Sequence, residues 1–196
     1  MLCILWILTY LSVFLIMFTR KECVIHPLTT ALSAGLGLGI LLSHIRNGAN
    51  FNYVVFGYCC WVFVLILIIA LHIKHKDIPK RFLLPYFLTL ISFVLGIFVW
   101  AAYTYAGVTY CTTILTAVGM IIWIIYLYKQ KQPLHWSYLF PFTTKLIADF
   151  FVLYAYFGYL NWFIDLLCVI LPTIDSLFIL LFFVKTEPSY TYGNRF

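Results

Sequence analysis

Charged residues are scarce in this sequence: Asp, Glu, Lys and Arg make up 9% of its 196 residues. Soluble domains carry roughly 25% charged residues, so the composition excludes an ordinary soluble fold. The net charge of +6 comes from basic residues in short segments between apolar runs, so no nucleic-acid partner is expected. The chain is therefore expected to be an integral membrane protein, and its main surroundings are the lipid bilayer.

Motifs for metal binding and for hydrolysis are also missing: the sequence contains no CxxC, HExxH or GxSxG. The six cysteines are scattered, mostly inside apolar runs, where cysteine packs as a small apolar residue. We therefore predict no catalytic residue set, no metal site and no cofactor. His72 and His75 are interleaved with basic residues, and this segment is interpreted as a topology anchor at the lipid headgroups.

Seven long apolar runs account for most of the chain. A helix of about 20 apolar residues crosses the hydrocarbon core, whereas a barrel would show shorter alternating segments. The runs are Leu2–Phe18, Leu28–Ile45, Tyr53–Ile73, Phe82–Tyr105, Thr109–Tyr128, Trp136–Tyr159 and Trp162–Val184. The predicted fold is an all-α integral membrane protein, a seven-transmembrane-helix bundle that forms a single domain over 1–196.

The loop charges predict the orientation of this bundle. Ten basic residues fall on one side of the predicted membrane: Arg20, Lys21, Lys74, Lys76, Lys80, Arg81, Lys129, Lys131, Lys185 and Arg195. Only Arg46 falls on the other side. Because short cytoplasmic loops are enriched in Lys and Arg, the N-terminus is predicted to be outside or lumenal and the C-terminus cytosolic. The sequence leaves open whether the membrane is the plasma membrane or an endomembrane.

An odd number of spans suggests two three-helix repeats and a linker. A shift of 109 residues superposes Arg20 on Lys129, His26 on His135 and Asn52 on Asn161. The shift indicates parallel repeats over 2–73 and 109–184, with a linker helix over 82–105. Chance similarity between apolar helices is the alternative.

This topology resembles that of the SWEET and PQ-loop transporters, which have seven spans, an outside N-terminus and two parallel three-helix repeats. Asn52 and Asn161 resemble the paired asparagines of sugar-transporting members, and Asp175 resembles the final-helix aspartate of proton-coupled members. The Pro-Gln pair that marks PQ-loop repeats is absent, since the first and fifth spans contain no proline. The resemblance implies a transporter and covers topology alone.

Buried charges are concentrated in the last two spans. Lys145 and Asp149 are spaced i,i+4, so they project from one helical face and can pair. Asp175 lies at a similar depth in the next span, and consecutive helices usually pack side by side. Because ionised groups at bilayer depth are expensive and face the bundle interior, these three residues predict a polar cavity, with Tyr154 about one turn outward of Asp149. The alternative is an ion pair that only fixes how the two spans dock.

Three functions remain open from the sequence. The first is a small-solute transporter or permease with proton coupling, which binds a small-molecule substrate at Lys145, Asp149, Asp175, Asn52, Asn161 and Tyr154. The second is a non-catalytic subunit of a larger membrane complex, which would bind partner subunits or further copies of the chain. The third is an intramembrane lipid-modifying enzyme that uses the buried aspartates.

Overall fold

The chain folds as a bundle of helices. The computed structural model describes residues 2–48, 53–103, 107–129, 134–156, 158 and 162–185. Within these residues there are seven α-helices: α1 (Leu2–Arg20), α2 (Pro27–Arg46), α3 (Tyr53–His75), α4 (Leu83–Tyr103), α5 (Gly107–Lys129), α6 (Leu139–Tyr156) and α7 (Trp162–Lys185). Single turns of 3-10 helix, Lys80–Phe82 and Trp136–Tyr138, precede α4 and α6. The prediction of an all-helical chain is confirmed.

Five of these helices are long and apolar enough to cross a bilayer, namely α2, α3, α4, α5 and α7. The described part of α1, Ile4–Arg20, is a shorter apolar helix. Helix α4 lies at the periphery, because only 6% of its apolar stretch is buried inside the bundle. Apolar side chains exposed along a helix are expected where lipid replaces water as the solvent. These features are those of a membrane-embedded, multi-pass protein.

The helices pack as two groups of three. In the first group α3 packs against both α1 and α2, and in the second group α7 packs against both α5 and α6. The two groups meet where α1 packs against α6 and where α2 packs against α5. Helix α4 packs against α2 and α5 at one side of the bundle.

Hydrogen bonds tie together the end of the bundle at which α1, α3, α5 and α7 finish, which we call the basic end. The Trp123 indole donates to the carbonyl of Val24 at 2.8 Å, and the Tyr126 hydroxyl donates to the carbonyl of Cys23 at 3.1 Å. The Tyr138 hydroxyl donates to a Glu22 carboxylate oxygen at 2.7 Å. The segment between α1 and α2 is therefore anchored to both α5 and the start of α6.

Glycines allow α2 to approach its neighbours closely. A Cβ atom at Gly37 would lie 2.8 Å from Cγ2 of Val62 on α3, and one at Gly39 would lie 2.7 Å from Cγ2 of Ile97 on α4. Both distances are below van der Waals contact, so these positions require glycine. The small residues of α2 therefore serve close helix packing.

Candidate functional site

A buried ion triad lies at the contact between α6 and α7. The Lys145 ammonium donates to Oδ2 of Asp149, one turn further along α6, and to Oδ2 of Asp175 on α7 at 3.4 Å. All three side chains are almost completely buried. The expectation that α6 and α7 bring these three residues together from two adjacent helices therefore agrees with the structure.

The triad contains more acid than base. One ammonium faces two carboxyl groups, so the three groups carry a net charge of −1 when all are ionised. Oδ1 of Asp149 and Oδ1 of Asp175 are buried and have no hydrogen-bond partner among the described residues. Since a buried charge needs a counter-charge or full hydrogen bonding, one proton or one cationic group would complete the site.

Further polar side chains surround a small cavity beside the triad. The cavity holds about 10 Å³ and is lined by Lys145 together with Tyr10, Thr29 and Ser33. It lies between α1, α2, α5 and α6, which are the four helices through which the two groups meet. A space of this size accommodates about one water molecule.

Hydrogen bonds connect the helices around this cavity. The hydroxyls of Tyr10 on α1 and Ser33 on α2 share a hydrogen bond of 2.7 Å. Thr9 on α1 and Thr144 on α6 share one of 2.9 Å, and Thr29 on α2 donates to the Gly119 carbonyl on α5 at 3.2 Å. These residues could not be predicted from the sequence, because a lone hydroxyl in an apolar run gives no sign of which helix it faces.

The other predicted site residues are Asn52, Asn161 and Tyr154. Asn52 and Asn161 lie outside the described residues. Tyr154 is 85% exposed, whereas Asp149 is fully buried. An α-helix turns by about 100° per residue, so five positions separate their directions by about 140° and place them on different faces of α6.

A second cluster, which the sequence analysis did not predict, lies at the basic end. Nδ1 of His72 is 3.7 Å from Sγ of Cys23 and 2.8 Å from Oδ2 of Asp77. The other ring nitrogen, Nε2, is 3.2 Å from the Thr30 hydroxyl. The sulfur, the nitrogen and the carboxylate oxygen all lie within 4.8 Å of one another. We call Cys23, His72 and Asp77 the Cys–His–Asp cluster.

The interpretation of His72 as a headgroup-level loop residue is corrected by this arrangement. Helix α3 continues to His75, and the His72 side chain is fully buried. Its position follows from helical phase, because His72 lies one turn after Ile68 and one residue after Leu71, all of which are buried. The His- and Lys-rich sequence at the end of α3 therefore contains one residue, His72, that faces the interior of the bundle.

Two residues in the left-handed backbone region give this cluster its shape. Lys76 has φ 62° and ends α3, so that the Asp77 amide donates back to the His72 carbonyl at 3.0 Å. Lys21 has φ 57° and ends α1, two residues before Cys23. This conformation costs a non-glycine residue roughly 1–2 kcal/mol. In the described part of the chain these are the two non-glycine residues with positive φ, and both flank the cluster.

The electrostatic surroundings of the cluster differ between its two acidic members. Burial raises the pKa of the Cys23 thiol to about 12, and the negative charge of Asp77 acts in the same direction. Burial is the largest single influence on the pKa of Asp77 and acts to raise it, but the hydrogen bond and charge of His72, the hydrogen bond with Cys23 and the charge of His75 together hold that pKa below its ordinary value. Of these two groups, the Asp77 carboxylate is thus the one that ionises more readily.

Comparison of the chain with protein-family models, with curated proteins and with solved structures finds no match. The class of protein is therefore inferred from the sequence and the structure of this chain alone. Its helical fold and several long apolar helices are those of a multi-pass membrane protein, with a buried ion triad between α6 and α7.

Proposed function

We propose that the chain is a small-solute transporter with proton coupling, and that Lys145, Asp149 and Asp175 form its substrate- and ion-binding site. The observation that carries this proposal is the unbalanced triad. It is buried at mid-length of α6 and α7, and each of its carboxyl groups keeps one oxygen that has no hydrogen-bond partner among the described residues. Ionised groups at bilayer depth characteristically mark substrate or proton pathways.

The helix packing supports a transporter built from two parallel repeats, 2–73 and 109–184, joined by the peripheral helix α4. The contacts among these six helices are symmetric. If α1 is exchanged with α5, α2 with α6 and α3 with α7, each helix contact becomes another contact that the structure contains. The contact of α1 with α6, for example, becomes the contact of α5 with α2. This is the relation that a two-fold axis along the membrane normal produces.

Two histidines 109 residues apart add to the support for the repeat. Nδ1 of His26 accepts a hydrogen bond from the Leu28 amide and caps the start of α2. Nδ1 of His135 accepts one from the Ser137 amide and caps the turn that leads into α6. The two residues thus have the same local role at the start of corresponding helices. Capping groups at corresponding positions are what a duplicated three-helix unit would carry.

The small size of the cavity fits one conformation of a transporter. Alternating access requires a binding site that two repeats enclose and then open by rocking against one another. The cavity lies where α1 and α2 face α5 and α6, so movement of one group of helices relative to the other would enlarge it. We propose that the basic end faces the cytosol, since Arg20, Lys74, Lys80 and Lys129 are exposed there.

Uptake into proteoliposomes tests this function. The purified chain would be reconstituted and supplied with small amines, amino acids and sugars, with and without a pH gradient. Asp149→Asn and Asp175→Asn keep the side-chain shape and remove the charge. We expect wild-type uptake of at least one solute class to depend on the pH gradient, and Asp175→Asn to lose that dependence while unfolding no more readily than wild type.

The two remaining functions make different predictions in the same experiment. A non-catalytic subunit would move no solute, and both variants would lose stability because the triad would serve docking alone. The peripheral position of α4 provides the surface that such a subunit would use. A lipid-modifying enzyme would instead release or modify lipid in the vesicles, and Asp149→Asn or Asp175→Asn would abolish that turnover without any change in solute uptake.

A further inference from the structure

We propose that the Cys–His–Asp cluster binds a borderline transition-metal dication, of which Zn²⁺ is the representative. The three side chains come from different parts of the fold: Cys23 from the segment after α1, His72 from the last turn of α3, and Asp77 from the segment after α3. They supply one thiolate, one imidazole and one carboxylate, the three ligand types that zinc uses in proteins. This inference is independent of the proposed transport function.

The distances suit a tetrahedral centre after a small adjustment. Zinc bonds of about 2.3 Å to sulfur and about 2.0–2.2 Å to nitrogen and oxygen place ligand atoms about 3.4–3.6 Å apart. The sulfur of Cys23 lies 3.7 Å from Nδ1 of His72, close to this separation. The 2.8 Å between Nδ1 and Oδ2 of Asp77 is a hydrogen bond, which the ion would replace by moving the two atoms apart.

The hydrogen bond to Thr30 supplies the outer support that a histidine ligand needs. A metal-bound histidine donates its other ring N–H to an acceptor, which fixes the ring orientation and the tautomer. With the ion on Nδ1, the Nε2–H of His72 would donate to the Thr30 hydroxyl oxygen, now 3.2 Å away. A hydroxyl can donate as well as accept, so Thr30 suits the ring both with and without the ion.

A catalytic triad is the obvious alternative, and the geometry argues against it. In such a triad the nucleophile and the orienting carboxylate contact different nitrogens of the histidine ring. Here the sulfur of Cys23 and the carboxylate of Asp77 both face Nδ1 of His72, while Nε2 faces Thr30. Two groups that converge on a single nitrogen cannot relay a proton through the ring, but they can share a cation with it.

Charge and access are also compatible with a dication. A Cys23 thiolate and an Asp77 carboxylate together balance two positive charges, so a bound Zn²⁺ would leave the cluster neutral. A cleft of about 530 Å³ runs beside the cluster and is lined by both Cys23 and Asp77. It gives the ion a route from solvent and leaves room for a water molecule as fourth ligand. The nearby Lys74 and Lys76 are exposed, so water screens their repulsion.

The test is titration of the purified full-length chain, stripped of metal by a chelator, with Zn²⁺ alone in a calorimeter. Co²⁺ replaces Zn²⁺ in a parallel optical titration, because a thiolate ligand gives a charge-transfer absorption band. We expect one ion per chain and a sulfur-to-cobalt band. Cys23→Ser should abolish the band and weaken Zn²⁺ binding by more than about 100-fold, beyond the range of outer-shell changes. Cys60→Ser, a cysteine on α3 outside the cluster, is the matched control and should change neither.

Two further variants keep the test decisive if Cys23→Ser fails to fold. Asp77→Asn removes a charged ligand and preserves a hydrogen bond to His72. Thr30→Val removes only the outer support and should weaken Zn²⁺ binding by about 10- to 100-fold. The proposal is overturned if the wild-type chain shows no saturable Zn²⁺ binding, or if Asp77→Asn and Thr30→Val both bind Zn²⁺ as tightly as wild type.

Discussion

Helix α2 packs against α3 and α5, and α6 packs in the same way against α7 and α1. The two helices differ in their buried residues, because α6 carries buried charges and α2 does not. Helix α2 packs through glycines that bring α3 and α4 against its backbone, and its buried residues include hydroxyls but no charged side chain. Helix α6 carries Lys145 and Asp149. The residues 109 positions earlier are Leu36 and Ile40, both buried on α2. A helix in this position can therefore be packed without ions, which argues that the ions of α6 serve something other than docking.

The largest expected effect comes from replacing Lys145 of the triad with methionine. The comparison is the replacement of Leu36 on α2 with methionine. Lys145→Met leaves two buried carboxyl groups without their counter-charge, and loss of one partner of a buried ion pair costs about 3–5 kcal/mol. Leu36→Met, at the corresponding position of α2, conserves volume and should cost less than about 1.5 kcal/mol. Chemical unfolding of both variants in detergent micelles measures the difference.

Equal losses of unfolding free energy in the two variants would contradict this account. They would mean that the position in the helix, and not the unpaired charge, determines the stability.

The second largest effect on stability is expected from a glycine of α2. Gly39→Ala places a methyl group 2.7 Å from Ile97, and its Cβ would also lie 3.1 Å from the backbone oxygen of Val94, which cannot move aside as a side chain can. Overpacking of this kind typically costs about 1–3 kcal/mol. We expect the melting temperature in detergent to fall accordingly.

Gly119→Ala on α5 is the control for that change. Its Cβ would meet only Cγ2 of Thr29 at 3.5 Å, an ordinary contact. Since alanine is favoured over glycine in a helix by about 1 kcal/mol, this variant should be as stable as wild type or more stable. A Gly39→Ala chain that melts with or above Gly119→Ala would show that α2 does not depend on glycine for its packing.

The smallest effect concerns the end of α3, where Lys76 adopts the left-handed conformation that positions Asp77. Glycine takes this conformation without a Cβ penalty, so Lys76→Gly should stabilise the chain by about 1 kcal/mol. Lys74→Gly, two residues earlier and within the helix, should destabilise it by about 1 kcal/mol. Thermal unfolding of the two variants gives the sign of each change in stability. A loss of stability in Lys76→Gly would rule out a strained backbone at the end of α3.

The helices and the triad could be predicted because both follow from local spacing. Apolar runs of spanning length gave the seven helices, and the i,i+4 spacing of Lys145 and Asp149 gave their shared face. The Cys–His–Asp cluster could not be predicted in the same way. Cys23 and His72 are 49 residues apart, and they meet only because α1 and α3 pack together and finish at the same end.

The direction of Tyr154 could have been predicted from helical geometry. Tyr154 follows Asp149 by five residues, which turns its direction by about 140° away from that of Asp149. In the structure it is exposed. The left-handed backbone at Lys21 and Lys76 could not be predicted, because lysine gives no signal for a conformation that usually belongs to glycine.

The proposed role of the ions of α6 and α7 is transport and not stability. The variant Lys145→Leu, Asp149→Ile, Asp175→Leu tests it by giving α6 the residue types of α2 at two of the three positions. Replacement of a buried ion cluster by apolar residues is often neutral or stabilising by about 1–4 kcal/mol. We predict a chain that unfolds no more readily than wild type and shows no solute uptake driven by a pH gradient. Uptake at the wild-type rate by this variant would contradict the account.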